Sequence, residues 1–106
     1  MNSSWRRFEV LLPLQFNDGK DIPPELIAEA VLEIVNHFGA ASYESQPLEG
    51  HWRHSGVTYR DNLVKIVVDV ADLAKNRKWM KEFKARWKNR LEQLELWMIS
   101  YRIAVE

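Results

Sequence analysis

The sequence predicts a single α+β domain with the element order β-α-β-β-α-β. Three observations carry that reading. Two stretches repeat apolar residues at helical spacing. Strand-like stretches, two of them with clear two-residue alternation, flank and separate them. The length of 106 residues, with 46% hydrophobic and 28% charged residues, suits one globular unit.

Residues 1–5 read as a short tail. From Arg6 to Phe16 the chain alternates, with Phe8, Val10, Leu12, Leu14 and Phe16 on one side. Pro13 inside this run predicts a bulge, or an end of pairing near Leu12. Asn17–Lys20 reads as a loop, and Pro23 and Pro24 open a helix whose stripe is Leu26, Ile27, Ala30, Val31, Ile34, Val35 and Phe38. Gly39 is its stop. Ala40–Gln46 is a polar strand of edge character, ended or kinked by Pro47. Leu48–Asp61 reads as an irregular hairpin or a bulged strand end, and Leu63–Val70 as a strand with Val64, Ile66, Val68 and Val70 inward. Asp72 is positioned to cap a second helix reaching about Gln93, with Trp79, Met80, Phe83, Trp87, Leu91 and Leu94 as its stripe. A last strand spans about Leu96 to Val105, with Trp97, Ile99, Tyr101, Ile103 and Val105 inward and Met98, Ser100 and Arg102 outward.

This order resembles the ferredoxin-like sandwich, which implies a four-stranded antiparallel sheet with two helices on one face and the first and third strands central. The other face is then uncovered. It is expected to carry Arg7, Glu9, Leu11, Lys65, Val67, Asp69, Met98, Ser100 and Arg102, with Glu9 and Lys65 as a cross-strand ion pair. A face this mixed suits a homodimer interface or another protein partner. It lacks the exposed aromatics on the central strands by which RNA-recognition motifs stack bases. The loop FNDGKD lacks the phosphate cradle of acylphosphatases. The segment Asp21–Leu26 is similar to the turn of ligand-binding ACT domains, but holds Pro24 where that turn has Gly.

The chain has no Cys, which excludes disulfides and thiolate chemistry and agrees with a reducing, cytoplasmic setting. The first residues lack the apolar core of a signal peptide, and no apolar run approaches the ~18 residues of a membrane span. Lys+Arg and Asp+Glu both number 15, yet they are segregated: eight acids and one base lie between Glu9 and Glu49, eight bases and one acid between Lys75 and Arg90.

Three groups of residues are candidates for chemistry or binding. The first is the polar segment 49–61. His51, His54 and Tyr59 are its candidates for acid–base work, and Trp52, Arg53, Arg60 and Asp61 for holding a ligand or anion. In an extended strand, His51 and His54 face opposite sides, so no metal site is expected from them, and no cofactor motif is present. The alternative is a plain hairpin with tight turns at Gly50 and Gly56. The second is a basic stripe, Arg77, Lys81, Lys84 and Lys88, able to follow a nucleic-acid backbone. Zero net charge argues against that use, and Glu25, Glu29 and Glu33 on the first helix offer local partners for neighbouring bases. The third is the Trp set, in which Trp79, Trp87 and Trp97 are expected to pack, leaving Trp5 and Trp52 as contact residues. Together these predict a small binding module rather than an enzyme, acting as a homodimer. Ligand sensing or catalysis by residues 51–61 is the alternative, and nucleic-acid binding by helix residues 75–90 a further one.

Overall fold

The structure, a computed structural model, describes residues 4–106 apart from the side chains at 45–47. Residues 1–3 of the expected tail lie outside the described residues. The elements run β1 (Trp5–Pro13), α1 (Pro24–Phe38), β2 (Ser42–His54), β3 (Val57–Ala71), α2 (Ala74–Arg90) and β4 (Met98–Ile103). The four strands form one antiparallel sheet of order β2-β3-β1-β4, with α1 and α2 on one face: a ferredoxin-like sandwich. Among the described residues, no helix is long and apolar enough to cross a membrane.

The alternation in β1 and β3 sets the core. Phe8, Val10 and Leu12 pair with Val68, Ile66 and Val64, and all six are buried beneath Ile27, Ala30, Ile34, Met80, Phe83 and Trp87 from the helices. Pro24 begins α1. Gly39 ends it at φ 94, in the left-handed region open to glycine, and its N–H donates to the Val35 carbonyl.

Several boundaries differ from expectation. β1 starts at Trp5, which pairs with Ala71 and Ile103, and stops at Pro13, which has no N–H to continue the ladder. Of the two effects expected at Pro47, an end or a kink, the strand shows the irregularity: the register of β2 slips between Glu44 and Leu48, and it then pairs with β3 as far as His54–Val57. Ser55 (φ 51) and Gly56 (φ 78) close this long ribbon in a two-residue turn. Gly50 makes no turn. A Cβ there would meet a Leu63 methyl at 2.9 Å, so the residue serves close packing.

Asp72 does not cap α2. Leu73 holds the cap position without a side-chain hydrogen bond, while the Asp72 carboxylate turns to three arginines. α2 ends at Arg90, and Leu94 beyond it is exposed, while Leu96 fills the core.

Candidate functional site

The uncovered sheet face is built from the outward positions of β1, β3 and β4. Arg7, Glu9 and Leu11 stand opposite Asp69, Val67 and Lys65, as alternation requires. β4 has the opposite facing to that expected. Met98 pairs with Val10, Ser100 with Phe8 and Arg102 with Arg6, so Met98, Ser100 and Arg102 lie on the helix side and are not part of this face. Met98 packs on the core, Ser100 accepts from Arg6, and Arg102 reaches Asp72. Ile99, Tyr101 and Ile103 therefore take the uncovered face, and Trp97, just before the strand, is exposed rather than packed. Exposure is 62% for Trp97 and 41% each for Ile99 and Tyr101. A shift of one residue moves a whole strand's side chains to the other face, and the more apolar row of β4 had pointed to the core.

Polar groups on this face satisfy one another. Arg7 makes a two-pronged pair with Asp69 at 2.7 and 3.0 Å. Lys65 Nζ lies 3.1 Å from Glu9, and the Tyr101 hydroxyl donates to the same carboxylate. The Tyr101 hydrogen bond, then the Lys65 contact, holds the Glu9 carboxyl below its usual range. Glu9 in turn raises both Lys65 and Tyr101. Asp69 raises Arg7. The face is therefore apolar at its rows and internally neutralised along its seam.

The polar segment 49–61 divides between the two sides of the β2–β3 ribbon. Trp52, His54, Tyr59 and Asp61 share one side, continuous with the uncovered face. Trp52 stacks on Tyr59 with ring centres 4.4 Å apart and donates its indole N–H to Asp61. His51, Arg53 and Arg60 occupy the other side. There Glu49 pairs with Arg60 and lies 3.8 Å from His51, and Arg53 donates to Thr58. The ribbon thus brings Tyr59 together with Trp52 and Asp61, and separates His51 from His54. Among the described residues, no group of three or more His, Asp or Glu side chains converges to hold a metal.

Where the ribbon meets the sheet, a cavity of about 460 Å³ opens on the uncovered face. Leu11, Pro13 and Leu63 line it together with Trp52, Asp61 and Trp97. Glu95 and the chain at His51 also border it, and neither Lys nor Arg does. Sequence reasoning assigned Trp97 to the core and so missed its place here. Gly50, close-packed against Leu63, belongs to the same cavity.

Two of the four residues in the basic stripe of α2 are engaged locally. Arg77 turns to Asp72, and Lys84 lies 3.3 Å from Glu95. Beside the stripe, Arg86 pairs with Glu33, and Arg90 with Glu29 at 2.8 Å. Lys81 is exposed and Lys88 partly so. The expected acid–base seam between the helices is present, and it lowers Glu29 through its Arg90 hydrogen bond.

No protein-family model matches the chain, and no curated protein matches it. Solved structures do. A phage SAM lyase in complex with S-methyl-5'-thioadenosine is 15% identical, with a TM-score of 0.72 over 100% of this chain and 94% of that one. A phage SAM lyase in the apo state is 13% identical, with a TM-score of 0.63 over the same shares of the two chains, 100% and 94%. CutA from Synechococcus elongatus is 8% identical, with a TM-score of 0.61 over 96% of this chain and 79% of that one. At these identities the likeness is one of fold, so the chain is established as a ferredoxin-like α+β domain.

Proposed function

We propose that this chain is a small self-associating binding module whose uncovered sheet face is buried against a second copy. The exposed apolar row Trp97, Ile99 and Tyr101 carries this reading. Arg7, Glu9, Lys65 and Asp69 already pair within the face, so covering its central strands leaves these four charges matched. Size is adequate as well. Four strands at ~4.8 Å spacing by nine residues at ~3.3 Å give roughly 550 Å² of flat projection, and the accessible area of a side-chain surface exceeds its projection, approaching the ~800 Å² per partner of a stable complex. Ile99→Arg tests the reading. It places a charge at the centre of the interface while remaining tolerable on a free surface. The variant should elute as a smaller species than the parent, with an unchanged far-UV circular dichroism spectrum. Identical elution of parent and variant as monomers would overturn the proposal.

The cavity beside Trp52 favours a second reading, in which the module holds a small, flat, neutral or cationic organic ligand. Its apolar lining, its two Trp side chains and carboxylates without Lys or Arg disfavour an anion there. The ligand in the first phage SAM lyase structure, S-methyl-5'-thioadenosine, fits that description and is a direct probe. Titration should quench tryptophan emission in the parent, and less so in Trp52→Ala. An unaltered spectrum up to millimolar concentration would exclude S-methyl-5'-thioadenosine as the ligand.

A further inference from the structure

At the opposite end of the sheet from the cavity, one carboxylate gathers three guanidinium groups from three elements. Asp72, whose side chain is only 2% exposed, receives Arg6 Nε of β1 at 2.9 Å on Oδ1. Arg77 of α2 donates to the same oxygen, and Arg102 Nε of β4 lies 3.1 Å from Oδ2. We propose that Arg6, Arg77 and Arg102, held in place by Asp72, form a binding site for a dianionic phosphate group, either free phosphate or a phosphate monoester.

Charge balance is the first argument. Three guanidinium groups and one carboxylate leave two positive charges uncompensated in the cluster. One arginine is enough to neutralise a carboxylate, and each further one is repelled by those already present. The Asp72 carboxyl is held down to about 2, chiefly by Arg6 and then by Arg77, so it is ionised at neutral pH and its negative charge is already counted.

Among the described residues, no second carboxylate pairs with Arg6, Arg77 or Arg102. The first turn of α2, directly above, contains no acid, and Lys75 and Arg77 lie in it. This runs against the usual preference for acidic groups at a helix N-terminus, where the backbone is already partly positive. Of the other acids nearby, Asp69 is occupied by Arg7 on the opposite face of the sheet.

Donor geometry is the second argument. Arg6 is fixed, giving its Nε to Asp72 and an Nη to Ser100 Oγ at 3.0 Å. Arg102 uses its Nε on Asp72, which leaves both of its Nη groups without a protein acceptor among the described residues, and its side chain is 76% exposed. Arg77 likewise gives one Nη to Asp72. Asp72 therefore holds one nitrogen of each, while both Nη groups of Arg102 and the remaining Nη of Arg77 have no protein acceptor among the described residues. Such forks match the paired oxygens of a phosphate better than a point charge does. The excess of two charges matches a dianion rather than the single charge of a phosphodiester.

The test is an NMR titration of the whole chain with inorganic phosphate above pH 7, at ionic strength matched with chloride. Glycerol phosphate serves as the monoester and dimethyl phosphate as the diester. Saturable shifts should appear at the Arg side-chain Nε–H groups and at backbone amides 72–77, with both monoanion-poor probes binding more tightly than dimethyl phosphate. Arg102→Gln and Arg77→Gln should each weaken phosphate by about tenfold, the loss of one charge-assisted contact. Lys88→Gln, about 16 Å further along α2, should weaken it by less than about twofold, as a screened remote charge does. Glycerol phosphate binding with free phosphate identifies a monoester site, and free phosphate alone identifies an ion site. Absence of saturable shifts, equal binding of dimethyl phosphate, or an equal loss in Lys88→Gln would each overturn the proposal.

Discussion

Replacing Trp87 with Phe tests how the two helices are fastened to each other. Trp87 is 1% exposed on α2, and its indole N–H donates to Glu33 of α1 at 2.8 Å. Arg86 pairs with the other oxygen of Glu33, and the Arg90 guanidinium sits 4.4 Å from the centre of the Trp87 ring while gripping Glu29. Phe keeps an aromatic ring in the core but removes the donor. A hydrogen bond to a charged acceptor contributes ~1.5–3 kcal/mol, and the lower half applies because Glu33 keeps Arg86 and is only half-buried. The smaller ring leaves a void worth about 1 kcal/mol more. The expected loss is therefore about 2–3 kcal/mol, with a coupling to Glu33→Ala of about 1–2 kcal/mol in a double-mutant cycle. Urea unfolding followed by far-UV circular dichroism reads both quantities, at one fixed protein concentration because association would itself add stability. A loss under about 0.5 kcal/mol with no coupling to Glu33 would refute the idea of a specific latch and leave only generic packing.

Two further predictions concern charge and turn geometry. Asp72 has a folded-state value near 2 against an ordinary 3.8, so its contribution to stability is present above about pH 4 and is lost as the pH falls towards 2. Asp72→Asn should be less stable than the parent at neutral pH and should lose less stability between pH 4 and 2. Parallel stability curves for the two proteins in urea titrations across that range would contradict the assignment. Gly56→Ala places a Cβ at φ 78, where nothing crowds it but the backbone itself is unfavourable, so about 1 kcal/mol should be lost. That loss should appear as faster amide exchange in the β2–β3 ribbon, with the core strands little changed. Unchanged exchange around the turn would mean that the turn tolerates a side chain.

Much of the fold was legible because burial and secondary structure reinforce each other in its centre. In the middle of β1 and β3 one face is apolar, so alternation alone identified Phe8, Val10, Leu12, Val64, Ile66 and Val68 as core. Pro24 and Gly39 marked α1 by the conformations they permit. The Glu9–Lys65 pair and the acid–base seam between the helices followed from spacing and charge. The edges were harder to read. β4 carries an apolar row and a mixed row, and sequence alone assigns the apolar row to the core by default. In the structure Ser100 and Arg102 take the helix side because Arg6 and Asp72 satisfy them there, which releases Ile99 and Tyr101 to the open face. Asp72 had the residue type of a helix cap, but long-range arginines outcompeted the local backbone for its oxygens. The segment 49–61 is an extended ribbon whose two sides hold different residues, and only strand register could sort Trp52, Tyr59 and Asp61 from His51, Arg53 and Arg60.

Trp97, Ile99 and Tyr101 lie exposed because one chain offers nothing to cover them, and the proposal that a second copy does so is the centre of this account. Sedimentation equilibrium of the unmodified chain over a range of micromolar concentrations tests it most directly. The mass should rise with concentration to at least twice the 12.5 kDa of one chain. A mass of 12.5 kDa at every concentration would contradict it.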